Sequence, residues 1–153
     1  MQQTIYQLSI LKKYKNMYPA ELTKPMSKDL TDFGFHGLTS PAEVNEKLSS
    51  KEGTALVVVN SVCGCAAANA RPGAKISVQN DKKPDNLYTV FAGVDKDATE
   101  QVREHLLPYP ASSPAIALFK DGKLVHMLER RHIEGQTADR IAENLKMAYD
   151  QFC

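Results

Sequence analysis

A chain of 153 residues, 42% hydrophobic and 24% charged, has the size and composition of one globular domain, large enough to bury a core without disulfide staples. Its formal net charge of +1 offers no basic excess for nucleic acid and no acidic excess for a solvated tail. The longest apolar run, Ala55 to Val59, is far short of a membrane span, and Met1 to Tyr14 lacks the continuous apolar stretch of a secretory signal; the expectation is a cytoplasmic protein that engages neither membrane nor nucleic acid.

In chain order, Ile5, Leu8, Leu11 and Tyr14 have helix-like spacing that Pro19 breaks. Met26, Leu30 and Phe33 share a helical face, and Gly34 suits a helix stop. Ser40-Pro41-Ala42-Glu43 predicts a helix start with a capping box, and Val44 and Leu48 share the face that follows. Thr54 to Asn60 is a β-branched run, apolar on both faces, as in the centre of a mostly parallel sheet. Ser61-Val62-Cys63-Gly64-Cys65 comes next, then the helix-forming Ala66-Ala67-Ala68, with Pro72 expected to kink that helix and Val78 in its last part. Asn80 to Asn86 is a polar loop.

Leu87 to Ala92 reads as a second strand, and Asp97 with Glu100 as a capping box for a helix carrying Val102 and Leu106. After the loop Tyr109 to Pro114, the runs Ala115 to Phe119 and Leu124 to Leu128 form a hairpin through Lys120-Asp121-Gly122-Lys123. Ile141, Leu145, Ala148 and Phe152 give a C-terminal amphipathic helix. The order from Thr54 is strand, helix, strand, helix, hairpin, helix. Its first two strands should be parallel through a right-handed crossover, and its last two antiparallel. This resembles the thioredoxin fold: an α/β protein whose mixed four-stranded sheet is covered by helices. The expected organisation is a single domain, with residues 1–52 as an N-terminal helical extension and 53–153 as the thioredoxin-like core.

The chain has three cysteines, two of them one residue apart and the third, Cys153, last in the sequence. That is no disulfide framework; in a reducing compartment a close pair points to redox chemistry or metal binding. Cys63 stands where a strand gives way to a helix, so free amide donors and the helix dipole can stabilise its thiolate. Cys65, deeper in the first turn, is the expected resolving thiol, and Gly64 would let the backbone bend so that the sulfurs meet. The smaller ring of a Cys-x-Cys disulfide should make it more oxidising than a comparable Cys-x-x-Cys bond. A thiol-based Cu(I) or zinc carrier is the main rival, but neither a second Cys pair nor a His-x-x-His completes a four-ligand site, and no metal is expected. Pro114, just before a strand, falls where the thioredoxin fold has a cis-proline opposite the helix start.

The stretch Val57-Val58-Val59-Asn60-Ser61-Val62-Cys63-Gly64-Cys65-Ala66-Ala67 with Ala70-Arg71-Pro72 closely resembles the bacilliredoxin family. So do Thr89-Val90-Phe91-Ala92-Gly93 with Asp95-Lys96, and Ser112-Ser113-Pro114. Lys120-Asp121-Gly122, Val125-His126-Met127 and Ile133-Glu134-Gly135 extend the match, which runs from about Pro25 to Cys153. One departure is Ala68, where the family pattern has Gly.

The resemblance implies a thiol–disulfide oxidoreductase that removes bacillithiol from S-bacillithiolated client proteins. Cys63 and Cys65 would be catalytic, and Gly64, Arg71, Ser113 and Pro114 would meet the substrate. No cofactor is implied beyond bacillithiol itself, the low-molecular-weight thiol co-substrate. Arg71 has two readings, a partner for the carboxylates of bacillithiol's malate or a helix-surface arginine. A general protein disulfide isomerase is the alternative activity. Lys82, Lys83, Arg130 and Arg131 read as solvated charges, His126 as a packed or edge histidine, and Cys153 as an exposed or core-packed terminal residue.

Overall fold

In the computed structural model, residues 18–153 are described; the helix-like spacing of Ile5 to Tyr14 lies outside the described residues. The chain runs through α1 (Ala20–Thr31), β1 (His36–Gly37), α2 (Pro41–Leu48) and β2 (Thr54–Asn60). A π-helical turn (Ala66–Ala70) leads into α3 (Arg71–Ser77), followed by β3 (Asn86–Phe91) and α4 (Lys96–His105). The hairpin β4 (Ala115–Lys120) and β5 (Lys123–Leu128), the short α5 (Arg130–Ile133) and α6 (Ala138–Phe152) complete it.

The β-branched run of β2 is buried at every position because it lies in the middle of the sheet, whose order is β1-β3-β2-β4-β5. It pairs parallel with β3 and antiparallel with β4. Its side chains alternate between two cores. Leu56 and Val58 pack with Ala74, Ile141 and Leu145 of α3 and α6. Ala55, Val57 and Val59 pack with Val44, Leu48 and Val102 of α2 and α4. The sheet has five strands rather than four, because β1 joins its edge beside β3 from the segment read as a helical extension.

The hairpin turns through Asp121 (φ 51°) and Gly122 (φ 80°), the pair of positive dihedrals that a tight two-residue loop needs. Asp121 also accepts from the Gly53 amide at 2.9 Å, which ties the turn to the start of β2. Gly73 is required for a different reason. A Cβ there would fall 2.7 Å from Ile141 Cγ2, so glycine is what allows α3 to lie against α6. In the same interface Ser77 Oγ and Tyr149 Oη, both buried, meet at 2.9 Å.

Several local expectations are corrected. α1 begins at Ala20, with Pro25 inside it, and Phe33 lies beyond its end and is exposed. Ser40 Oγ does accept from the Glu43 amide at 3.2 Å, but the Glu43 carboxylate takes the Thr39 amide and His36 rather than closing a box on Ser40. α4 starts one residue after Asp95, so Asp97 sits in its first turn and caps nothing. Pro72 marks a π-turn: with no N–H to donate, it coincides with a widened register in which the Arg71 amide reaches back to Ala66 O. The sequence pattern does not anticipate the short α5; Glu129 and His132 form its capping box, hidden in what reads as a charge run.

Candidate active site

Asn60, at the end of β2, fixes the loop that carries the cysteines. Its Nδ2 donates to Met26 O of α1 at 3.1 Å, and its Oδ1 accepts from the Ser61 amide at 2.9 Å and from Arg71 NH1 at 3.0 Å. Arg71 NH1 also donates to Ser61 O at 3.2 Å, and Arg71 Nε meets Asp29 at 3.1 Å. Ser61 Oγ accepts from the Cys63 amide at 3.2 Å, and the Ala66 amide closes the first helical bond onto Cys63 O at 2.9 Å. Cys63 therefore stands at the mouth of the helix, with the next amides turned toward its sulfur.

Cys63 and Cys65 are both free and half-buried, yet their environments pull them apart. A hydrogen bond from the Cys65 thiol is the chief cause holding the Cys63 thiol below its ordinary range; the Cys65 and Ala66 amides and the charge of Arg130 assist against a burial penalty. Burial is the main cause pushing Cys65 up, followed by its hydrogen bond to Cys63 and the Cys63 charge. At a pH between the two values the thiolate sits on Cys63 and the proton on Cys65.

The other expected site residues are distributed differently. The pairing of Val59 with Ala115 carries Ser113 and Pro114 alongside Asn60 and Ser61, at the cysteine end of the sheet. The Ser113–Pro114 peptide bond is cis. Ser113 lines a cleft with Cys63, while Pro114 is buried behind it. Gly64 is exposed, has no left-handed dihedral, and would have open space around a Cβ. The reduced loop does not draw on glycine's backbone freedom at this position.

Arg71 is neither a surface arginine nor a side chain of that cleft: only 5% exposed, it is committed to Asp29, Asn60 and Ser61. The expected carboxylate partner is a buried clamp. Ala68 points outward and is exposed, which is how the departure from Gly is accommodated.

The cation beside the cysteines is Arg130, which in the sequence reads as a solvated charge. It lines the cleft with Cys63, and its NH1 and amide reach Ser113 O and Ser112 Oγ, each at 3.4 Å. Hairpin arithmetic could have found it. Ile116 pairs with Leu128, so two residues further out Arg130 lies opposite Pro114. Lys96 and Arg103 of α4 and Tyr18 line the same cleft. α4 reaches it because β3, parallel to β2, delivers its chain to the same sheet end.

Cys153 is exposed and lies near Thr54, Asp85 and Lys120, at the start of β2. Seven strand residues separate that end from Cys63, about 20 Å, so the third thiol is remote from the pair. His126 on the outer strand β5 pairs with Asn144 at 2.7 Å. Among the described residues, no group of three or more His, Cys, Asp and Glu side chains is arranged to hold a metal, and no helix is long and apolar enough to cross a membrane.

Comparison with solved structures identifies the fold. Oxidised thioredoxin from Plasmodium falciparum superposes with a TM-score of 0.54 at 19% identity, over 76% of this chain and 98% of that one. At that identity the likeness speaks for the fold, which is thioredoxin-like. The family described as "Disulphide isomerase" matches residues 18–153. A bacilliredoxin from Cytophaga hutchinsonii is 57% identical over 135 residues, covering 88% of this chain and 99% of that protein. One from Halalkalibacterium halodurans is 50% identical over 136 residues, covering 89% and 94%. Fold and relatives together define a thiol–disulfide oxidoreductase. Within that class, the chain belongs to the bacilliredoxin family.

Proposed function

We propose that this enzyme removes bacillithiol from S-bacillithiolated proteins of the cytoplasm, with Cys63 as nucleophile and Cys65 as resolving thiol. The observation that carries the reading is the asymmetry of the pair: Cys63 at a helix mouth with its thiol held low, Cys65 behind it with its thiol pushed up. The Cys63 thiolate attacks the bacillithiol sulfur of a client's mixed disulfide. A Cys63–bacillithiol bond forms, the client's S–S bond breaks, and the client cysteine leaves with the electron pair and takes up a proton. Cys65, on losing its proton, attacks Cys63 Sγ, releasing bacillithiol as a thiolate and closing the Cys63–Cys65 disulfide. Attack by a second bacillithiol on the bound one instead restores the Cys63 thiolate and yields bacillithiol disulfide. No cofactor enters either route. Gly64, exposed, and Ser113, held in place by Pro114 and Arg130, form the rim offered to the client.

Intact mass spectrometry after mixing with a bacillithiolated client tests this. Cys65→Ala should trap one bacillithiol and free the client, whereas Cys63→Ala should trap none and leave the client modified. A wild type that leaves the client modified, with neither variant gaining mass, would overturn the reading. General disulfide isomerisation is the second reading, favoured by the family description and by a Cys65 thiol that burial pushes up, which would slow its resolution of mixed disulfides. Recovery of activity by a client with scrambled disulfides, without net reduction, would select it.

A further inference from the structure

The cleft beside Cys63 has a volume of about 650 Å³, and its walls carry Lys96, Arg103 and Arg130 against one carboxylate, Glu100. In a chain of net charge +1, that is a local concentration of positive charge. The cations come from two elements that meet at this mouth. Lys96 opens α4, Arg103 lies two turns further along the same face, and Arg130 opens α5. Gly93 and Lys96 both line the cleft, so the amino end of α4 adds the positive pole of its dipole.

These charges are weakly held. Arg103 meets Glu100 at 2.8 Å and Arg130 meets Glu134 at 3.5 Å, both through exposed carboxylates. No ion pair among the described residues reaches Lys96. Exposed pairs of this kind contribute little, so an incoming anion displaces them readily. Arg103 Nε is shielded from water and has no hydrogen-bond partner among the described residues, although NH1 of the same guanidinium is engaged. Tyr18 closes the wall by lying on Gly93, where a Cβ would come within 3.0 Å of its ring.

We infer that this cleft is the subsite for the small-molecule half of the mixed disulfide, taking a low-molecular-weight thiol with two carboxylates that Lys96, Arg103 and Arg130 hold while its sulfur lies at Cys63. The inference rests on the bacillithiol reading, since the malate of bacillithiol supplies such a dicarboxylate, and it narrows that reading: the transferred thiol is recognised by charge, whichever client carries it. The arginines suit carboxylates because a guanidinium offers paired donors, and they act beside the sulfur that is transferred.

The test uses one client protein capped through the same cysteine by bacillithiol, by mercaptosuccinate (a dicarboxylate), by mercaptoethanol (neutral) and by cysteamine (a cation). The wild type should remove the two carboxylate-bearing caps with kcat/KM about ten-fold above the neutral cap, and cysteamine least efficiently. Lys96→Gln and Arg103→Gln should each lower kcat/KM for the carboxylate caps by about five-fold, through KM, and leave the neutral cap unchanged. Lys123→Gln, on the exposed far turn, should change none of them. Equal rates for all caps, or variants that slow all caps alike, would overturn the subsite while leaving bacillithiol removal standing. If the wild type removes no cap, the enzymatic reading fails, and binding of (methylthio)succinate, which cannot exchange, decides the subsite by amide chemical shifts. Saturable shifts at Lys96 and Arg103 that vanish in the Lys96→Gln/Arg130→Gln double variant uphold it; no shifts overturn it.

Discussion

The loop that presents Cys63 has two flanks, and both are rich in basic side chains put to opposite uses. On the α1–α3 flank, Arg71 and Lys75 close on Asp29 at 3.1 and 2.6 Å, and Arg71 continues inward to Asn60 and Ser61. On the α4–α5 flank, Lys96, Arg103 and Arg130 face an open cleft and pair only with exposed carboxylates or with none among the described residues. The first flank fixes where the cysteines stand. The second sets the field they stand in, and the charge of Arg130 helps hold the Cys63 thiol low. The difference follows from depth: a cation sealed between a strand end and two helices must be fully partnered, whereas one at a sheet-end mouth is free to meet a solute.

The largest effect that would break this comparison lies on the closed flank. Arg71→Ala removes the guanidinium that Asp29, Asn60 Oδ1 and Ser61 O share, leaving Asp29 to Lys75 alone and Asn60 Oδ1 to the Ser61 amide alone, and should cost about 3 kcal/mol of stability, read as a lowered urea midpoint. A loss no greater than that of Arg130→Gln, expected to leave the urea midpoint in place, would erase the distinction.

A smaller effect sharpens it. Burial alone would push the Asp29 carboxyl up, but the hydrogen bonds and charges of Lys75 and then Arg71 outweigh it and hold the carboxyl below its ordinary value. A carboxyl with a folded pKa below the unfolded one stabilises the fold above the unfolded value. That stability is lost as pH falls through the folded pKa. Asp29→Asn should therefore cost about 1 kcal/mol near neutral pH, after allowance for its partial exposure, and the gap to wild type should narrow in acid.

The smallest effect belongs to the open flank. Alkylation of Cys63 should follow its thiolate, rising with pH and reaching half its maximum below the ordinary thiol range and below Cys65. Arg130→Gln should move the Cys63 midpoint upward while the urea midpoint stays in place. A midpoint that does not move would remove Arg130 from the field around the thiols.

Much of this was legible in the residues. The run Thr54 to Asn60 reads as a central strand because every side chain is apolar or capped at an end, and the Asp-Gly turn reads as a hairpin because few residue pairs accept two positive dihedrals. The strand-to-helix position of Cys63 followed from the same local signals. What escaped was set by tertiary contact. Strand β1 is His36-Gly37, with no strand pattern of its own, and exists because β3 offers it a free edge. The depth of Arg71 depends on α1 crossing over it, which no spacing within residues 60–72 reveals. Arg130 was hidden by composition: in Glu129-Arg130-Arg131 the charges read as solvent, although the hairpin register already set the first arginine beside Ser113-Pro114.

Helix α4 has an evolutionary consequence of its own. Lys96, Glu100 and Arg103 recur along the face turned to the cleft, while Ala98 and Val102 lie buried on the other and hold the second core. Selection can therefore rewrite one face without disturbing the other. Exchanges on the cleft face of α4, with Arg130 of α5 the one cation outside it, would retune the charge of this cleft while the inherited scaffold and reactive pair stay intact.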